Sequence, residues 1–310
     1  MNQLTVGVIE KNRNPYWDMV NAGWTDAAGL LDLGLRIDAP PSEDVDAQLQ
    51  LMREQLDSGI DALAFVGTDP AAMTPLVTEA GRRGIPVVAF DLDAPNSGRL
   101  MFVGMETPLE AGHRAGAQIA ALVGRAPVIV QTGSDRAPGA VGKKRGFLEV
   151  MERSGIPVIE IENDHEDVAA AVALASQALE QHPDARGIFG GYGYHPVAQA
   201  AAVRATGRQG VSIVGFDMLP ETVELIAAGE VASSIWIREY EFGYQSAVAL
   251  SSFLRAGVSE SLQLFGMSAE SPEGNVRIPT PVTYTKENIQ EFIDWSRAHS
   301  IHQRTTATAV

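Results

Sequence analysis

The chain has 310 residues, 45% of them apolar, and no cysteine; that length predicts two domains of about 150 residues and sets aside disorder for most of the chain. Its 23 basic and 39 acidic side chains leave a formal charge of −16, which argues against nucleic-acid backbones and anionic membrane surfaces as partners. Without cysteine there are no disulfides, no thiol nucleophile and no thiolate metal site.

From the N-terminus, Leu4-Thr5-Val6-Gly7-Val8-Ile9 reads as a buried strand, being short, apolar and rich in β-branched residues. A polar loop, Glu10 to Arg13, follows, and then Asn14-Pro15, which predicts a helix start: asparagine caps free N–H groups and proline suits the first helical position. An acid, two bases, an amide and the adjacent rings of Tyr16 and Trp17 therefore meet at one strand-to-helix turn. A core needs no such mixture, and it reads as one wall of a ligand site.

Further strands are predicted at Leu35–Ile37, Ala62–Val66, Val87–Phe90, Leu100–Val103, Val128–Gln131, Val158–Ile161, Gly187–Phe189, Ile213–Phe216 and Ala232–Ile237. Segments with apolar residues at three- and four-residue spacing lie between them, among them Val45–Leu56, Ala111–Val123, Val168–Leu179 and Gly243–Leu254. Asp69-Pro70 and the capping box Thr107-Pro108-Leu109-Glu110 open helices, and Gly59, Gly84 and Gly155 close them. Apolar strands alternating with amphipathic helices imply mostly parallel sheets covered on both faces. A single (β/α)₈ barrel shares that alternation, but there are more than eight strands, and Leu100–Met105 follows Asp93 with no helix between. A strand without its own helix marks a crossing from one sheet to another. Ser259–Gly274 reads as loop, Ile278–Val282 as an extended crossover, and Gln303–Val310 as a disordered tail. The expected class is thus α/β, with two doubly wound, Rossmann-like sheets. No run is long enough to span a membrane and no basic-then-apolar leader opens the chain, so any export signal is expected to have been removed before Leu4.

In open α/β sheets, ligands bind beyond the carboxyl ends of the strands. Three aspartates end similar strands: Asp69, Asp91 and Asp217. Asp69 precedes Pro70 and is expected to cap a helix; no helix begins directly after Asp91 or Asp217, which favours a ligand role for both. No Gly-x-Ser-x-Gly elbow, no paired-histidine metal spacing and no dinucleotide fingerprint is present, so neither catalysis nor a metal nor a cofactor is expected. Among the histidines His165 alone follows a strand where a ligand could touch it, and a surface-loop histidine is the favoured alternative. The glycines at 139–142 and 190–193 only imitate phosphate loops. What remains is acids, amides and bases interleaved with Tyr16, Trp17, Tyr192 and Trp236. Carboxylates accept from hydroxyl groups and ring faces cover the C–H faces of a sugar or polyol. The same rings with Glu10, Asp91, Asp93 and Asp217 could instead surround an organic cation, with Lys11, Lys143 and Arg238 partly offsetting the acids. Trp24 and Trp295, at helical positions, are expected to pack.

These residues resemble the type I periplasmic binding proteins, the ribose/galactose-binding branch that serves ABC importers. The resemblance runs from Leu4 to about Trp295 and is carried by Asn14-Pro15-Tyr16-Trp17, Gly59-Ile60-Asp61-Ala62-Leu63, Gly84-Ile85-Pro86-Val87-Val88-Ala89-Phe90-Asp91, Val214-Gly215-Phe216-Asp217 and Tyr284-Thr285-Lys286-Glu287-Asn288. It implies two lobes joined by three crossings, near Met105–Thr107, Trp236–Arg238 and Thr280–Tyr284, which close on a ligand in the cleft. One lobe would comprise residues 1–105 and 238–281, the other 106–237 and 282–300. Carried over by position, Glu10, Lys11, Asn14, Tyr16, Trp17, Asp91 and Leu92 would line the first lobe. Lys143, His165, Tyr192, Asp217 and Ile237 would line the second lobe and the hinge. Ribose-type proteins carry arginine where this chain has Leu92 and Lys143, asparagine at Tyr192, glutamine at Ile237 and a small hydroxyl residue at Glu10. Losing guanidinium forks removes bidentate contacts, which points to a different ligand.

The resemblance implies a monomeric extracytoplasmic protein that captures a monosaccharide or sugar alcohol by cleft closure and delivers it to an ABC permease. A lactose-repressor-type regulator that lacks its DNA-binding headpiece shares the fold and is the alternative. A sugar isomerase or aldolase would need a metal site or Schiff-base lysine, for which no convincing set is present.

Overall fold

In the computed structural model, residues 3–14 and 16–299 are described. In chain order the strands are β1 (Leu4–Ile9), β2 (Leu33–Asp38), β3 (Ala62–Phe65), β4 (Val87–Asp91), β5 (Met101–Gly104), β6 (Val128–Gln131), β7 (Val158–Glu160), β8 (Gly187–Gly190), β9 (Ser212–Phe216), β10 (Ser233–Trp236), β11 (Val276–Arg277) and β12 (Val282–Tyr284). The helices are α1 (Trp17–Leu31), α2 (Val45–Asp57), α3 (Pro70–Arg82), α4 (Pro108–Val123), α5 (Pro138–Ser154), α6 (Val168–Gln181), α7 (His195–Ala205), α8 (Pro220–Ala228), α9 (Glu239–Ala256), α10 (Val258–Leu264) and α11 (Ile289–Ala298).

Two compact units result, one built from Met1–Met105 and Arg238–Thr280 with His299, the other from Glu106–Ile237 and Pro281–Ala298. The first holds a six-stranded sheet in the order β2-β1-β3-β4-β5-β11. The second repeats that plan as β7-β6-β8-β9-β10-β12. Its ladders are parallel except β10–β12, which is antiparallel; those of the first sheet are all parallel. A (β/α)₈ barrel is thereby excluded. In each sheet the strand order reverses once between central neighbours, at β1/β3 and at β6/β8, the place where a doubly wound sheet opens a crevice.

Burial on both faces explains the near-continuous apolar strands. Every residue of β3, β4 and β5 is buried. On one face of the first sheet Ile9, Phe65 and Ala89 pack with Met52 of α2 and Met73 of α3. Elsewhere in that unit the fully buried Trp24 of α1 meets the Phe90 ring edge-on at 5.7 Å, as its helical position predicts. In the second unit Phe147 stacks on Phe189 at 4.3 Å.

Helix boundaries follow the capping chemistry. Asp69 accepts a hydrogen bond from the N–H of Ala72, and Thr107 and Glu110 form the reciprocal capping box. Gly59, Gly84 and Gly155 hold positive φ where helices end. Three readings change. Residues 258–264 form α10, inside a segment expected to be loop. Val276–Arg277, just before the expected crossover, forms β11, and the last residue of that crossover opens β12, each strand adding an edge to a different sheet. The helix expected from Asn14 begins at Trp17; Pro15 and the expected tail at 303–310 lie outside the described residues.

Each unit is fastened by one pair of helices whose backbones touch. A Cβ on Gly23 of α1 would overlap the carbonyl oxygen of Tyr240, and one on Gly243 of α9 would overlap that of Val20. In the second unit Gly112 of α4 stands against the carbonyl of Lys143, and Gly146 of α5 against that of Leu109. Backbone cannot yield as a side chain can, so overpacking here is costly. Gly243→Ala should lower stability by about 2–3 kcal/mol in urea denaturation. Gly29→Ala, with nothing within 4 Å of its Cβ, should raise it by about 0.5–1 kcal/mol; equal effects of the two would refute the packing account.

Candidate functional site

The candidate residues gather at the carboxyl ends of the central strands in each unit. In the first, the Asn14 side chain accepts the N–H of Tyr16 at 2.9 Å and its carbonyl accepts the N–H of Trp17 at 3.0 Å. That turn sends the Tyr16 side chain to β4, where its hydroxyl donates to Asp91 Oδ1 at 2.5 Å. Trp17 is buried, its Nε1 bound to Asn12 Oδ1 at 3.0 Å and its ring edge-on to Tyr16 and Phe90. It therefore packs behind Tyr16, without the open ring face that a stacking role requires. Lys11 is drawn to Glu43 at 3.2 Å. Leu92 acts through its backbone, its carbonyl accepting the Gly67 N–H at 3.0 Å.

Glu10 is 5% exposed and its Oε1 has no hydrogen-bond partner. Burial, joined by the negative fields of Asp18 and Asp91 and opposed by a hydrogen bond with Asn21, raises its pKa to about 7. Asp93, a candidate for a cation cage, is taken by the buried Arg99, whose Nη2 donates to Oδ2 at 2.7 Å while Nε donates to Oδ1. Arg99 also donates to the carbonyl of Pro272 at 2.9 Å, so this fork ties the β4–β5 loop to the segment leading into β11. Nothing in the sequence pattern marked Arg99, because besides Asp93 its partners are carbonyls some 170 residues away.

In the second unit the organising group is Asp164, midway along the loop between β7 and α6. It accepts from the Tyr194 hydroxyl at 2.5 Å and pairs with His195 Nε2 at 2.8 Å, and both side chains of that pair are wholly buried. His195 Nδ1 accepts the N–H of Tyr192 at 3.0 Å, which leaves the single ring proton on Nε2 and the imidazole neutral. Burial pushes the His195 pKa down, against the pull of Asp164. For Asp164 burial acts upward, but the hydrogen bonds from His195 and Tyr194 prevail and its pKa falls below the usual carboxylate range. Sequence reasoning picked His165 instead; it is exposed, in a left-handed turn with φ of 55°. It borders an open depression with Gly133, Ser134, Arg136 and Glu166. His195 was missed because its partner lies 31 residues away on another loop.

Tyr192 is half-buried, with burial first and Glu166 second raising its pKa. Lys143 donates to the Gly191 carbonyl at 3.1 Å and lies 4.3 Å from the centre of the Phe216 ring. A Cβ on Gly193 would stand 2.7 Å from Asp217 Oδ2, so a side chain there would have to displace that carboxylate. The glycines at 139–142 lie in the first turns of α5 and form no loop. Ile237 is buried, and Trp236 joins Tyr284, Phe292 and Trp295 in an aromatic cluster at 4.7–6.1 Å, so Trp236 is a packing residue beside the expected Trp295. Arg238, also with positive φ, pairs with Glu241 at 2.7 Å. Among the described residues no cluster of three or more histidines and acids could hold a metal.

One correspondence links the two faces. Asp91 closes β4 and Asp217 follows β9, the same place in the two sheet orders, and both have left-handed backbones, with φ of 62° and 67°. Aspartate tolerates that conformation better than most residues, but at some cost, and such strain concentrates where a site needs a side chain aimed. At pH 6 the His195 ring should still be neutral with its proton on Nε2, as read from long-range nitrogen-15 correlation spectra; an imidazolium signal would contradict the geometry. The sign follows: a folded pKa below the unfolded value makes stability fall as pH drops below about 6.5.

A family model described as periplasmic binding protein domain matches residues 6–257. The chain is 28% identical to the D-ribose/D-allose-binding protein of Pseudomonas aeruginosa over 67% of its length and 68% of that protein's. It is 28% identical to the D-galactose/methyl-galactoside binding periplasmic protein MglB of Haemophilus influenzae, over 77% and 76%. Among solved structures, GanP, a glucose-galactose binding protein from Geobacillus stearothermophilus, superposes with a TM-score of 0.75 at 26% identity, covering 93% of this chain and 99% of that one. A sugar-binding protein of a sugar ABC transporter from Bacillus halodurans, at 24% identity and a TM-score of 0.80, covers 93% and 99% and shares the fold.

Proposed function

This chain belongs to the periplasmic binding protein family, and we propose that it is the solute-binding component of an ABC importer, taking a small polyhydroxylated ligand, a monosaccharide or sugar alcohol. Binding proteins of this family work outside the cytoplasm, and no helix among the described residues is long and apolar enough to cross a membrane. The observation that carries the ligand class is the pair of left-handed strand-end aspartates, Asp91 and Asp217. A carboxylate accepts from two adjacent hydroxyls at once, the pattern a sugar or polyol presents. In the first unit the Tyr16 hydroxyl donates to Asp91, and in the second Gly193 lies against Asp217. The relatives named for ribose, allose and galactose support the same reading, and favour a transport component over a repressor-type regulator.

The proposed action is mechanical. The two units serve as lobes, the crossings at Met105–Glu106, Ile237–Arg238 and Thr280–Pro281 serve as hinges, and the closed, ligand-bound form is what a permease recognises.

A ligand at a hundred times its Kd should add about 2.7 kcal/mol of stability, so a melting-point panel of pentoses, hexoses and alditols should show clear upward shifts for a few members. If the whole panel leaves the melting point in place, this ligand class is wrong. Asp91→Asn and Asp217→Asn, chosen because asparagine tolerates the same backbone, should each weaken the identified ligand by about 100-fold, the loss of a charge-assisted hydrogen-bond pair. Calorimetry finding both unchanged would remove the strand-end aspartates from the site.

A further inference from the structure

The chain leaving β8 is the segment of the second unit most in need of an anchor. It reads Gly190-Gly191-Tyr192-Gly193, and glycine loses more conformational freedom on folding than any other residue. Three candidate ligand residues nevertheless depend on where this loop lies. Tyr192 is carried by it, with its side chain hydrogen-bonded to Glu166 and Ser134, both of which line the open depression. Lys143 of α5 donates to the Gly191 carbonyl at 3.1 Å. Asp217, after β9, lies against Gly193.

One side chain holds the loop. Both backbone groups of Tyr192 end on His195: the N–H donates to Nδ1 at 3.0 Å, and the carbonyl accepts the His195 N–H at 3.1 Å. The ring is fixed in turn. Its Nε2 donates to Asp164 Oδ2 at 2.8 Å, and Gly190 lies so close that a Cβ there would overlap the His195 Cβ. Asp164 is itself held, accepting the Tyr194 hydroxyl and the Glu166 N–H at Oδ1 and donating its own N–H to the Thr132 carbonyl. The loops after β6, β7 and β8 thus converge on one imidazole–carboxylate pair beside the β6/β8 crevice.

Resting on the transport reading above, we infer that His195 is a positioning residue for the ligand: oriented by Asp164, it fixes the backbone of Tyr192 and so sets that side chain against the bound sugar or alditol. His195 is wholly buried and out of a ligand's reach, so its effect passes through Tyr192. The place demands an acceptor toward Tyr192 and a donor toward Asp164 at once, and a neutral imidazole supplies both in one rigid ring.

The test compares the full chain with His195→Gln, whose amide can still donate to Asp164 but has no acceptor in the place of Nδ1. Without ligand, the Tyr192 amide hydrogen should exchange at least about tenfold faster in the variant. That of Glu166, which rests on Asp164, should keep its wild-type rate. Equal acceleration at both amides would show general loosening and overturn the inference. So would a Tyr192 amide left unprotected in the wild-type chain, a measurement that needs no variant to fold. Calorimetry then takes the sugar or alditol with the largest melting-point shift in the panel above. His195→Gln should weaken it by about tenfold, as the loss of one buried hydrogen bond does. Combined with Tyr192→Ala, it should bind no more than about threefold more weakly than the weaker single variant, because both changes remove the same contact. Losses that multiply, or a His195→Gln chain as tight as wild type, would overturn the inference and leave the transport reading standing. A panel without a single binder would remove that reading and the inference with it.

Discussion

Both units depend on helix backbones pressed together where glycine leaves room. In the first, α1 and α9 touch at Gly23 and Gly243; in the second, α4 and α5 touch at Gly112 and Gly146. A helix lying this close to its neighbour can also lie flat on the sheet, and from there α1 reaches the tail of β1 and the end of β4. That sets the direction from which Tyr16 reaches Asp91 and the distance at which Asp18 acts on Glu10. The geometry of the first unit's strand-end face is thus downstream of two missing side chains, those of Gly23 and Gly243.

The electrostatics of the two faces differ in kind. The second unit spends its buried charge internally: Asp164 is satisfied by Tyr194 and a neutral His195 whose other nitrogen is already occupied. Such a network is rigid because each member has its partner. The first unit leaves Glu10 short of a donor while its best cation, Arg99, is committed to holding loops together.

Sequence patterning revealed what depends on neighbours along the chain. Ten strands, the Thr107–Glu110 capping box and the Asp69 cap arise from local periodicity and local hydrogen bonds, and each was readable. The two-residue β11 was not, because it is a strand only by pairing with β5; nor was α10, whose polar sequence has no strong apolar stripe. Within the candidate site, strand ends were readable as positions but not as partners. His165 and His195 each follow a strand, and only the fold shows which imidazole meets Asp164. Trp17 and Trp236 looked like ligand aromatics, since a sequence shows a ring's presence and not which way it faces. Which contacts a bound ligand makes was beyond reach for the same reason: it is set by side chains from strands far apart in the chain.

The discontinuity of the units has a consequence for the order in which the molecule can be completed. The first unit lacks α9 and β11 until synthesis has passed Arg277, and the second lacks β12 and α11 until it has nearly reached Ala298. Until then the Gly23 face of α1 and the outer edges of β5 and β10 have no cover. Each sheet is thus completed only by a strand from the C-terminal part of the chain.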